Sequence, residues 1–303
     1  AYEITYGDWS SDVCSSDLPM PSLKAIRKRI ASVKNTQKIT KAMKMVSAAK
    51  LRRAQERVVN ARPYANQLRG VLGSLAGKIQ NVSHPLLENR PEKRILFLVV
   101  TADRGLCGAF NSNLIKAGQT FLQEHAGEEV RMFCAGRKGR DFFKRRNVNI
   151  VSEYTNFFSK LDVGNAKDIS QQLVDMYSAA DVDAVYILYN EFKSVIQQRI
   201  VVEKLLPLGG GELQGNEGGA DYIFEQPPQE ILNRLLPRYV EIQVFRALLE
   251  SAAAEHGARM AAMDAASRNA GEMIDRITLN MNRIRQAAIT REIIEVVSGA
   301  GAQ

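Results

Sequence analysis

The side chains that most often perform chemistry in proteins are few and scattered in this chain. The three histidines, His84, His125 and His256, occur in unrelated sequence contexts, and His256 falls on an apolar helical stripe. Neither Cys107 nor Cys134 belongs to a C-x-x-C pair, the spacing typical of metal and redox sites. No nucleophile stands with a base in a recognisable motif. We therefore expect no catalytic residue, no metal site and no cofactor in this chain.

The segment D-R-G-L-C-G-A-F-N, residues 103–111, is the best candidate for a ligand-binding turn. It follows the apolar run I-L-F-L-V-V-T-A-D, residues 95–103, which predicts a strand buried on both faces. Ligands of α/β sheets usually bind at such carboxyl ends, and Gly105 and Gly108 would permit a tight turn. However, no G-x-G-x-x-G follows the strand, and no G-x-x-x-x-G-K-[S/T] occurs anywhere. We therefore favour a turn that docks on a neighbouring protein over a catalytic loop.

Strands alternate with helices through the middle of the chain. Beyond the first strand, helical patterns and β-type runs alternate over residues 111–125 (helix), 129–136 (strand), 138–145 (helix), 147–154 (strand), 166–179 (helix), 183–192 (strand) and 197–208 (strand). This alternation predicts a mostly parallel, Rossmann-like open sheet with helices against it. We assign it to an α/β domain over residues 90–208.

A long helical pattern occupies the C-terminal end of the chain, from about Pro237 to Ser298. At about 1.5 Å per residue, some 60 residues would make a helix roughly 90 Å long. Apolar or small residues recur there at intervals of three and four, as in a coiled-coil seam. They are Leu235, Tyr239, Ile242, Leu249, Ala253, Met260, Met263, Ala270, Ile274, Ile277, Met281, Ile284 and Ala288.

A second long helical pattern runs from Leu23 to about Gly70. Its expected apolar stripe comprises Ile26, Ile30, Val33, Ile39, Met43, Val46, Leu51, Ala54 and Val58. Gln37, Thr40 and Lys44 fall where apolar residues would be expected, so the seam is imperfect. The two patterns predict an antiparallel coiled coil formed by residues 20–80 and 229–303, with the α/β domain inserted between them.

The remaining segments have no helical or strand period. Residues 1–19 lack the basic start and apolar core of a signal peptide, and we predict that they are non-native, adaptor-derived sequence before a start at Met20. Residues 209–228 are rich in glycine and predict a flexible linker. No run of 18 apolar residues predicts a transmembrane helix, and the two remaining thiols suggest a reducing compartment.

Charge is distributed unevenly. The chain carries a formal net charge of +8, and residues 20–70 contain fourteen Lys or Arg but one acid, Glu56. A basic helix of this kind can bind nucleic acid, and a structural coiled-coil protein is a further alternative. Against nucleic acid, the basic residues surround the helix, and no aromatic residues alternate with them.

Three segments carry a resemblance to a known family: I-T-K-A-M-K-M-V-S-A-A-K-L-R-R-A-Q (Ile39–Gln55), T-A-D-R-G-L-C-G-A-F-N (Thr101–Asn111) and N-R-I-R-Q-A-A-I-T-R-E-I-I-E-V-V-S-G-A (Asn282–Ala300). Together they closely resemble the gamma subunit of the rotary proton-translocating ATP synthase, and the similarity to the bacterial form runs over essentially all of residues 20–303. No inserted dithiol segment like that of the chloroplast homologue is present.

The resemblance implies a non-catalytic rotor shaft. The tip of the coiled coil would reach into a ring of three alpha and three beta subunits, and the α/β domain would lie beside the epsilon subunit and the membrane-embedded c-ring. Rotation of the c-ring by proton flow would turn the shaft and drive the beta subunits through their conformations. The resemblance further implies a peripheral location on the cytoplasmic face of the bacterial plasma membrane, with no nucleic-acid partner and membrane contact only through the c-ring.

The resemblance also implies which residues contact partners. Lys41, Met43 and Lys44 are expected to face an acidic loop of beta, and Cys107 is expected to lie close to the same loop. The remaining expected contacts with alpha and beta are Arg259, Arg285, Gln286, Thr290 and Glu292. Tyr222 and Phe224 are weaker candidates for the end that faces the c-ring and epsilon.

Overall fold

A computed structural model of the chain describes residues 22–78, 84–158, 161–194, 197–208 and 228–300. In chain order, the elements are α1 (Leu23–Lys78), a short 3-10 helix (Pro85–Leu87), β1 (Arg94–Val100), α2 (Phe110–Glu124), β2 (Glu129–Ala135), α3 (Arg137–Lys144), β3 (Ile150–Tyr154), α4 (Val163–Ser178), β4 (Ala184–Phe192), β5 (Gln198–Leu206) and α5 (Pro228–Ala300). Residues 1–19 and 209–220, as well as Tyr222 and Phe224, lie outside the described residues. The domain limits drawn from the sequence stay a prediction.

The five strands form one sheet in the order β3-β2-β1-β4-β5. Strands β1 to β4 are parallel, and β5 pairs antiparallel with β4 at one edge. The chain passes from β1 to β2 on one side and later reaches β4 on the other, so the strand order reverses between β1 and β4. This arrangement confirms the predicted Rossmann-like open sheet. In such sheets, ligands bind beyond the carboxyl ends of the strands at the point of reversal.

Burial on both faces explains why β1 is a continuous apolar run. Each residue from Ile95 to Val100 is fully buried, and the ring of Phe97 stacks on Phe121 of α2 with 4.0 Å between centroids. Helix α2 packs against β1, β4 and β5, whereas α3 packs against β2 and β3. A strand that is covered on both faces has no polar side to alternate with its apolar side.

The part of the chain that the structure describes divides into two compact units, residues 22–38 with 268–300 and the described residues between 39 and 267. In the first unit, a Cβ atom added at Gly271 of α5 would lie 3.2 Å from Nε2 of Gln37 on α1. Arg29, about two turns earlier in α1, borders the same groove as Arg276, which lies later in α5. Because an earlier position in α1 meets a later position in α5, the two helices are antiparallel.

The second unit contains the sheet and the adjoining parts of α1 and α5. Nζ of Lys44 lies 2.5 Å from Oδ1 of Asp264, and Nη2 of Arg62 lies 3.9 Å from Oε1 of Glu250. These pairs again match later positions in α1 with earlier positions in α5. The helices are therefore antiparallel within this unit too, as the sequence predicts.

The stripe that α1 buries is a regular heptad, but it differs from the predicted one. Positions that alternate by four and three residues are all buried or half-buried, namely Ile26, Ile30, Val33, Gln37, Thr40, Lys44, Ser47, Leu51, Ala54, Val58, Ala61, Ala65, Leu68 and Leu72. The prediction was wrong for Ile39 and Val46, whose side chains are 60% and 57% exposed. The heptad keeps its period through four consecutive polar positions instead of shifting to the nearby apolar residues.

Helix α5 buries every residue of its predicted stripe at least partly. It begins at Pro228, earlier than the predicted stripe, and contains Pro237 in its interior. From Tyr239 to Glu255 it is buried on most sides, which is typical of a helix that runs through a core. None of the described helices has a stretch long and apolar enough to cross a membrane.

Candidate interaction surfaces

Residues 103–108, called the docking turn below, connect β1 to α2 and are held by hydrogen bonds from both sides. Oδ1 of Asp103 accepts a 3.1 Å hydrogen bond from the backbone N–H of Arg137 at the start of α3. Oδ1 of Asn111 accepts a 3.0 Å hydrogen bond from the backbone N–H of Ala102. Two helices therefore fix the position of a turn that the sequence alone leaves open.

The docking turn presents Arg104 and Leu106 to solvent and keeps Cys107 inside. Leu106 is 63% exposed and has a φ of 63°, in the left-handed region that non-glycine residues seldom adopt. Cys107 is 1% exposed, and its sulfur accepts a 3.2 Å hydrogen bond from the Asn111 amide. Burial raises the pKa of the Cys107 thiol. Any partner that meets this turn would therefore contact Arg104 and Leu106 instead of the sulfur of Cys107.

Arg259 of α5 contacts the docking turn through a hydrogen bond to its backbone. Its Nη2 atom donates a 2.6 Å hydrogen bond to Oε1 of Glu255 and a 3.2 Å hydrogen bond to the carbonyl oxygen of Gly105. The Arg259 and Glu255 side chains are 12% and 7% exposed. Burial raises the pKa of Glu255, and the Arg259 charge opposes that rise. Arg259 thus joins α5 to the turn through buried contacts within the chain. Its expected contact with alpha or beta stays a prediction.

The predicted α1 residues lie on the same unit as the docking turn. Lys41 is exposed, and Met43 and Lys44 are half-buried. Lys44 pairs with Asp264 of α5. A Cβ atom added at Gly108 would lie 3.8 Å from Cβ of Ala262, which precedes Asp264 by two residues. The α5 segment around Ala262 therefore adjoins both α1 and the docking turn. Lys41, Met43, Lys44, the docking turn, Arg259 and Asp264 together are called the turn surface below.

We predict that Lys44→Met raises the free energy of unfolding slightly, by up to about 1 kcal/mol. The Lys44–Asp264 pair is 41% and 33% exposed, and a pair that solvent reaches contributes about 0–1 kcal/mol. Methionine at this heptad position would bury apolar atoms instead. Urea unfolding measures the change, and Lys41→Met serves as the exposed control with no expected effect. A loss above about 1 kcal/mol would show that the pair stabilises the helices beyond this range.

The histidine on α5 lies beside an arginine of the same helix. His256 is half-buried, and its Nδ1 lies 3.4 Å from Nη1 of Arg259. Burial and the charges of Arg259 and Lys50 lower the pKa of His256 to about 4, so the imidazole is neutral at physiological pH. Among the described residues, no three His, Cys, Asp or Glu side chains are grouped as a metal site would require.

A second candidate surface lies near the end of α5, in the other unit. Arg285, Gln286, Thr290 and Glu292 are all exposed, and the Thr290 hydroxyl donates a 3.0 Å hydrogen bond to the Gln286 carbonyl oxygen. Several large apolar side chains are exposed beside them: Ile289, Ile293, Ile294, Val296 and Val297. These residues and the four polar ones are called the tip surface below. A contiguous exposed apolar patch of this kind typically marks an interaction site.

Comparison with known proteins shows the family of the chain. A profile of the ATP synthase family matches residues 22–302. The chain is 54% identical over 287 residues to the ATP synthase gamma chain of Solibacter usitatus, a match that covers 93% of this chain and 99% of that relative. The chain belongs to the ATP synthase gamma-chain family. The gamma chain of Pelotomaculum thermopropionicum is 50% identical over 283 residues, with coverage of 93% and 99%.

Solved structures of ATP synthases share the fold of this gamma-chain family member. A chain from the central stalk and c-ring of the Tetrahymena thermophila mitochondrial ATP synthase superposes with a TM-score of 0.59 and 26% identity. That match covers 76% of this chain and 99% of the Tetrahymena chain. A chain from the Euglena gracilis enzyme, in an assembly of OSCP, F1 and c-ring, gives a TM-score of 0.65 at 19% identity, covering 92% and 94%.

In this member of the gamma-chain family, the structure reveals residues of the turn surface that were not predicted from the sequence. Leu106, Glu255 and Asp264 all belong to the turn surface or support it. Asp264 could have been found by aligning the two stripes in antiparallel register, because it is the charged residue opposite Lys44. Nothing in the sequence distinguishes Leu106, since its exposure depends on the conformation of the turn.

Proposed function

We propose that the chain is the central rotor shaft of a bacterial ATP synthase. It couples proton-driven rotation of the c-ring to the conformational cycle of the beta subunits, for ATP synthesis or hydrolysis. The observation that carries the proposal is identity of 54% across 99% of a curated ATP synthase gamma chain. The antiparallel helices and the exposed apolar end of α5 agree with a shaft that inserts into a surrounding socket.

The proposed partners are three alpha and three beta subunits, the epsilon subunit and the c-ring. The solved chains that share this fold come from assemblies described as central stalk with c-ring and as F1 with c-ring. The chain would therefore be peripheral, on the cytoplasmic face of the bacterial plasma membrane, and would meet the membrane only through the c-ring. Tyr222 and Phe224 are the proposed contacts at the c-ring and epsilon end.

The tip surface is the proposed contact with the ring of alpha and beta subunits. Arg285 and Gln286 would form polar contacts with beta, and Thr290 and Glu292 would lie beside them. The exposed isoleucines and valines that follow would be removed from water by the socket, at about 25 cal/mol for each Å² of apolar area buried. Apolar contacts are non-directional, which suits a bearing in which one part turns against another.

The turn surface is the proposed contact with the acidic loop of beta. Lys41, Arg104 and their basic neighbours on α1 supply positive charge, and Met43 and Leu106 supply apolar area. Exposed ion pairs are worth only about 0–1 kcal/mol each, so they would attract the loop without locking one rotational position. Cys107 would lie under this contact, and Arg259 would hold the docking turn in place for it.

We further propose that the chain is not itself an enzyme, and that nucleotide chemistry belongs to the alpha and beta subunits. The sequence contains neither G-x-G-x-x-G after its first strand nor G-x-x-x-x-G-K-[S/T] anywhere. The alternative of a nucleic-acid-binding or structural coiled coil rests only on basic charge, whereas the comparisons favour the rotor. No observation among the described residues favours nucleic acid over the rotor interpretation.

We expect Arg285→Ala to reduce ATP turnover of the assembled complex at least about tenfold, without changing the stability of the chain. Arg285 is exposed, and surface substitutions usually change stability by less than about 0.5 kcal/mol. The loss would come from the charged hydrogen bonds that Arg285 makes with beta, each worth about 1.5–3 kcal/mol. Arg283→Ala, an exposed neighbour on the same helix, is the matched control. Equal turnover for both variants and the unchanged chain would exclude Arg285 from the contact.

Rotation itself can be observed with one label. Lys167→Cys on the exposed face of α4 would carry the label, in a Cys14→Ser background. Cys107 and Cys134 are buried, and burial raises both thiol pKa values, that of Cys134 to about 12, so neither should compete for the label. In complexes fixed through beta, ATP should drive rotation of this label. An alpha-subunit label in the same complexes should stay still. A motionless label on an active complex would contradict the rotor proposal.

A further inference from the structure

A crevice of about 810 Å³ opens where the strand order of the sheet reverses. Residues 107–110, which follow β1, border it on one side, and Asn190 and Lys193 at the end of β4 border it on the other. Ala258, Ala261 and Ala262 of α5 form a wall without charge. The volume is within the range of about 300–1,000 Å³ that small-molecule sites occupy. The crevice thus has both the location and the size of a ligand site in an open α/β sheet.

The first turn of α2 borders this crevice with unused hydrogen-bond donors. The residue that caps the helix is Ala109, which has no side-chain oxygen to accept from the first turn. Among the described residues, the backbone N–H groups of Asn111 and Ser112 have no acceptor. Helix α2 is 15 residues long, so its dipole adds partial positive charge at this end. These features favour the binding of an anion at this end of the helix. A binding site also requires side chains of the crevice that can contact the anion.

Asn190 supplies that second observation. Its side chain is 3% exposed and borders the crevice, and its Oδ1 atom has no hydrogen-bond partner among the described residues. A buried amide oxygen without a partner is costly, by about 1–3 kcal/mol, unless a ligand or water satisfies it. Because the amide can present either its oxygen or its NH₂ group, it can accept from a protonated anion or donate to an unprotonated one.

The charges around the crevice have one sign. Lys193 and Arg199 border it, and none of the residues that line it is Asp or Glu. Nζ of Lys193 lies 4.0 Å from Oε2 of Glu191, a distance at the limit of an ion pair. Arg199 is exposed to solvent. Asn113 and Gln198 add further amides to the lining. Two cations, several amides and a helix N-terminus together form a set of groups that suits phosphate.

We propose that this crevice binds a small molecule through a phosphate or pyrophosphate group. The phosphate oxygens accept hydrogen bonds from the first turn of α2 and from the Asn190 amide, and Arg199 and Lys193 neutralise their charge. No glycine-rich motif is needed for this mode, because the donors come from an uncapped helix and from side chains. Binding without chemistry is proposed, so the site is separate from the nucleotide chemistry assigned to the partner subunits.

The test uses the full chain, with pyrophosphate and inorganic phosphate as calorimetric probes and no partner subunit present. Pyrophosphate should bind saturably, with a Kd of roughly 1 mM or tighter. Arg199→Ser should weaken binding about tenfold, which corresponds to the loss of one charge-assisted contact. Asn190→Leu has a similar volume and removes a polar group that lacks a partner, so it should fold and should also bind at least about tenfold more weakly.

Arg145→Ser is the matched control, because Arg145 is an exposed arginine outside the lining of the crevice. It should leave pyrophosphate binding unchanged. Absence of saturable binding would overturn the proposal, as would equal weakening by Arg145→Ser and Arg199→Ser. Saturable binding of an acidic peptide in place of pyrophosphate would also overturn it, in favour of protein docking. Because the isolated chain is used, either result leaves the rotor proposal standing.

Discussion

Replacing Gly136 by alanine should lower the free energy of unfolding by about 3–5 kcal/mol. Gly136 lies between β2 and α3 with a φ of 117°, which L-amino acids rarely adopt. A Cβ atom there would lie 2.0 Å from the carbonyl oxygen of Thr101 and 2.7 Å from its Oγ1. Both are far inside van der Waals contact, so part of the structure must move.

The surroundings of Gly136 leave little room for such a movement. Its N–H donates a 2.8 Å hydrogen bond to the Tyr154 carbonyl oxygen at the end of β3. Thr101 is fixed as well, because its N–H donates to the Ala135 carbonyl oxygen and its Oγ1 accepts from the N–H of Gly139. Relief of the clash would therefore displace Thr101. The docking turn begins two residues after Thr101, at Asp103.

Gly127→Ala is the matched control for Gly136→Ala. No atom lies within 4 Å of a Cβ added at Gly127. Alanine at such a site usually stabilises slightly, because it restricts the unfolded chain. Urea unfolding of both variants at equal m-value provides the comparison. Similar stability of the two variants would show that the backbone beside Thr101 relaxes enough to accept a Cβ atom, and the expected loss would then be wrong.

Replacing Arg259 by alanine should lower the free energy of unfolding by about 3 kcal/mol at pH 7. The substitution leaves the carboxyl group of Glu255, which is 7% exposed, without its 2.6 Å partner. It also removes the hydrogen bond to the Gly105 carbonyl oxygen that holds the docking turn. Removal of one partner of a buried pair is more damaging than the net contribution of the pair itself, because a buried charge remains.

The effect of Arg259→Ala should depend on pH in one direction. Burial raises the pKa of Glu255 in the folded chain, and removal of Arg259 raises it further. A carboxyl group with a raised folded pKa binds more protons when folded, so stability falls as pH rises through the unfolded pKa toward the folded one. The deficit of the variant should therefore be smaller at pH 5 than at pH 8.

Two further variants separate the charge effect of Arg259→Ala from a general packing defect. Adding Glu255→Gln to Arg259→Ala should recover part of the lost stability at pH 8, because no buried charge remains. Arg234→Ala, at an exposed position on the same helix, should change stability by less than about 0.5 kcal/mol. A deficit that is independent of pH and is not reduced by Glu255→Gln would show that the charge of Glu255 is not its cause.

Patterns that depend on one element were predictable from the sequence. The apolar run of β1 indicated burial on both faces, and the α5 stripe from Leu235 to Ala288 was buried as expected. The α1 stripe was wrong at Ile39 and Val46, because choosing the most apolar residues shifted the period. A strict heptad through Gln37 and Thr40 would have predicted the correct face, at the expense of polar residues in the seam.

Properties that depend on several elements were not predictable. Burial of Cys107 results from the hydrogen bonds of Asn111 and the approach of α5, and exposure of Leu106 from a left-handed φ. The role of Arg259 within the chain requires the α5 segment to adjoin the docking turn. The Asn190 crevice combines the docking turn, α2, β4, β5 and α5, so no single segment contains its pattern. Long-range packing decides each of these features, and local sequence preference does not.

The most direct test of the rotor account is assembly from purified parts. The isolated chain should show no ATP hydrolysis. When it is mixed with alpha and beta subunits, native mass spectrometry should show one copy in a complex with three alpha and three beta subunits, and hydrolysis should rise. A chain that stays outside this complex, or that enters without raising hydrolysis, would contradict the account.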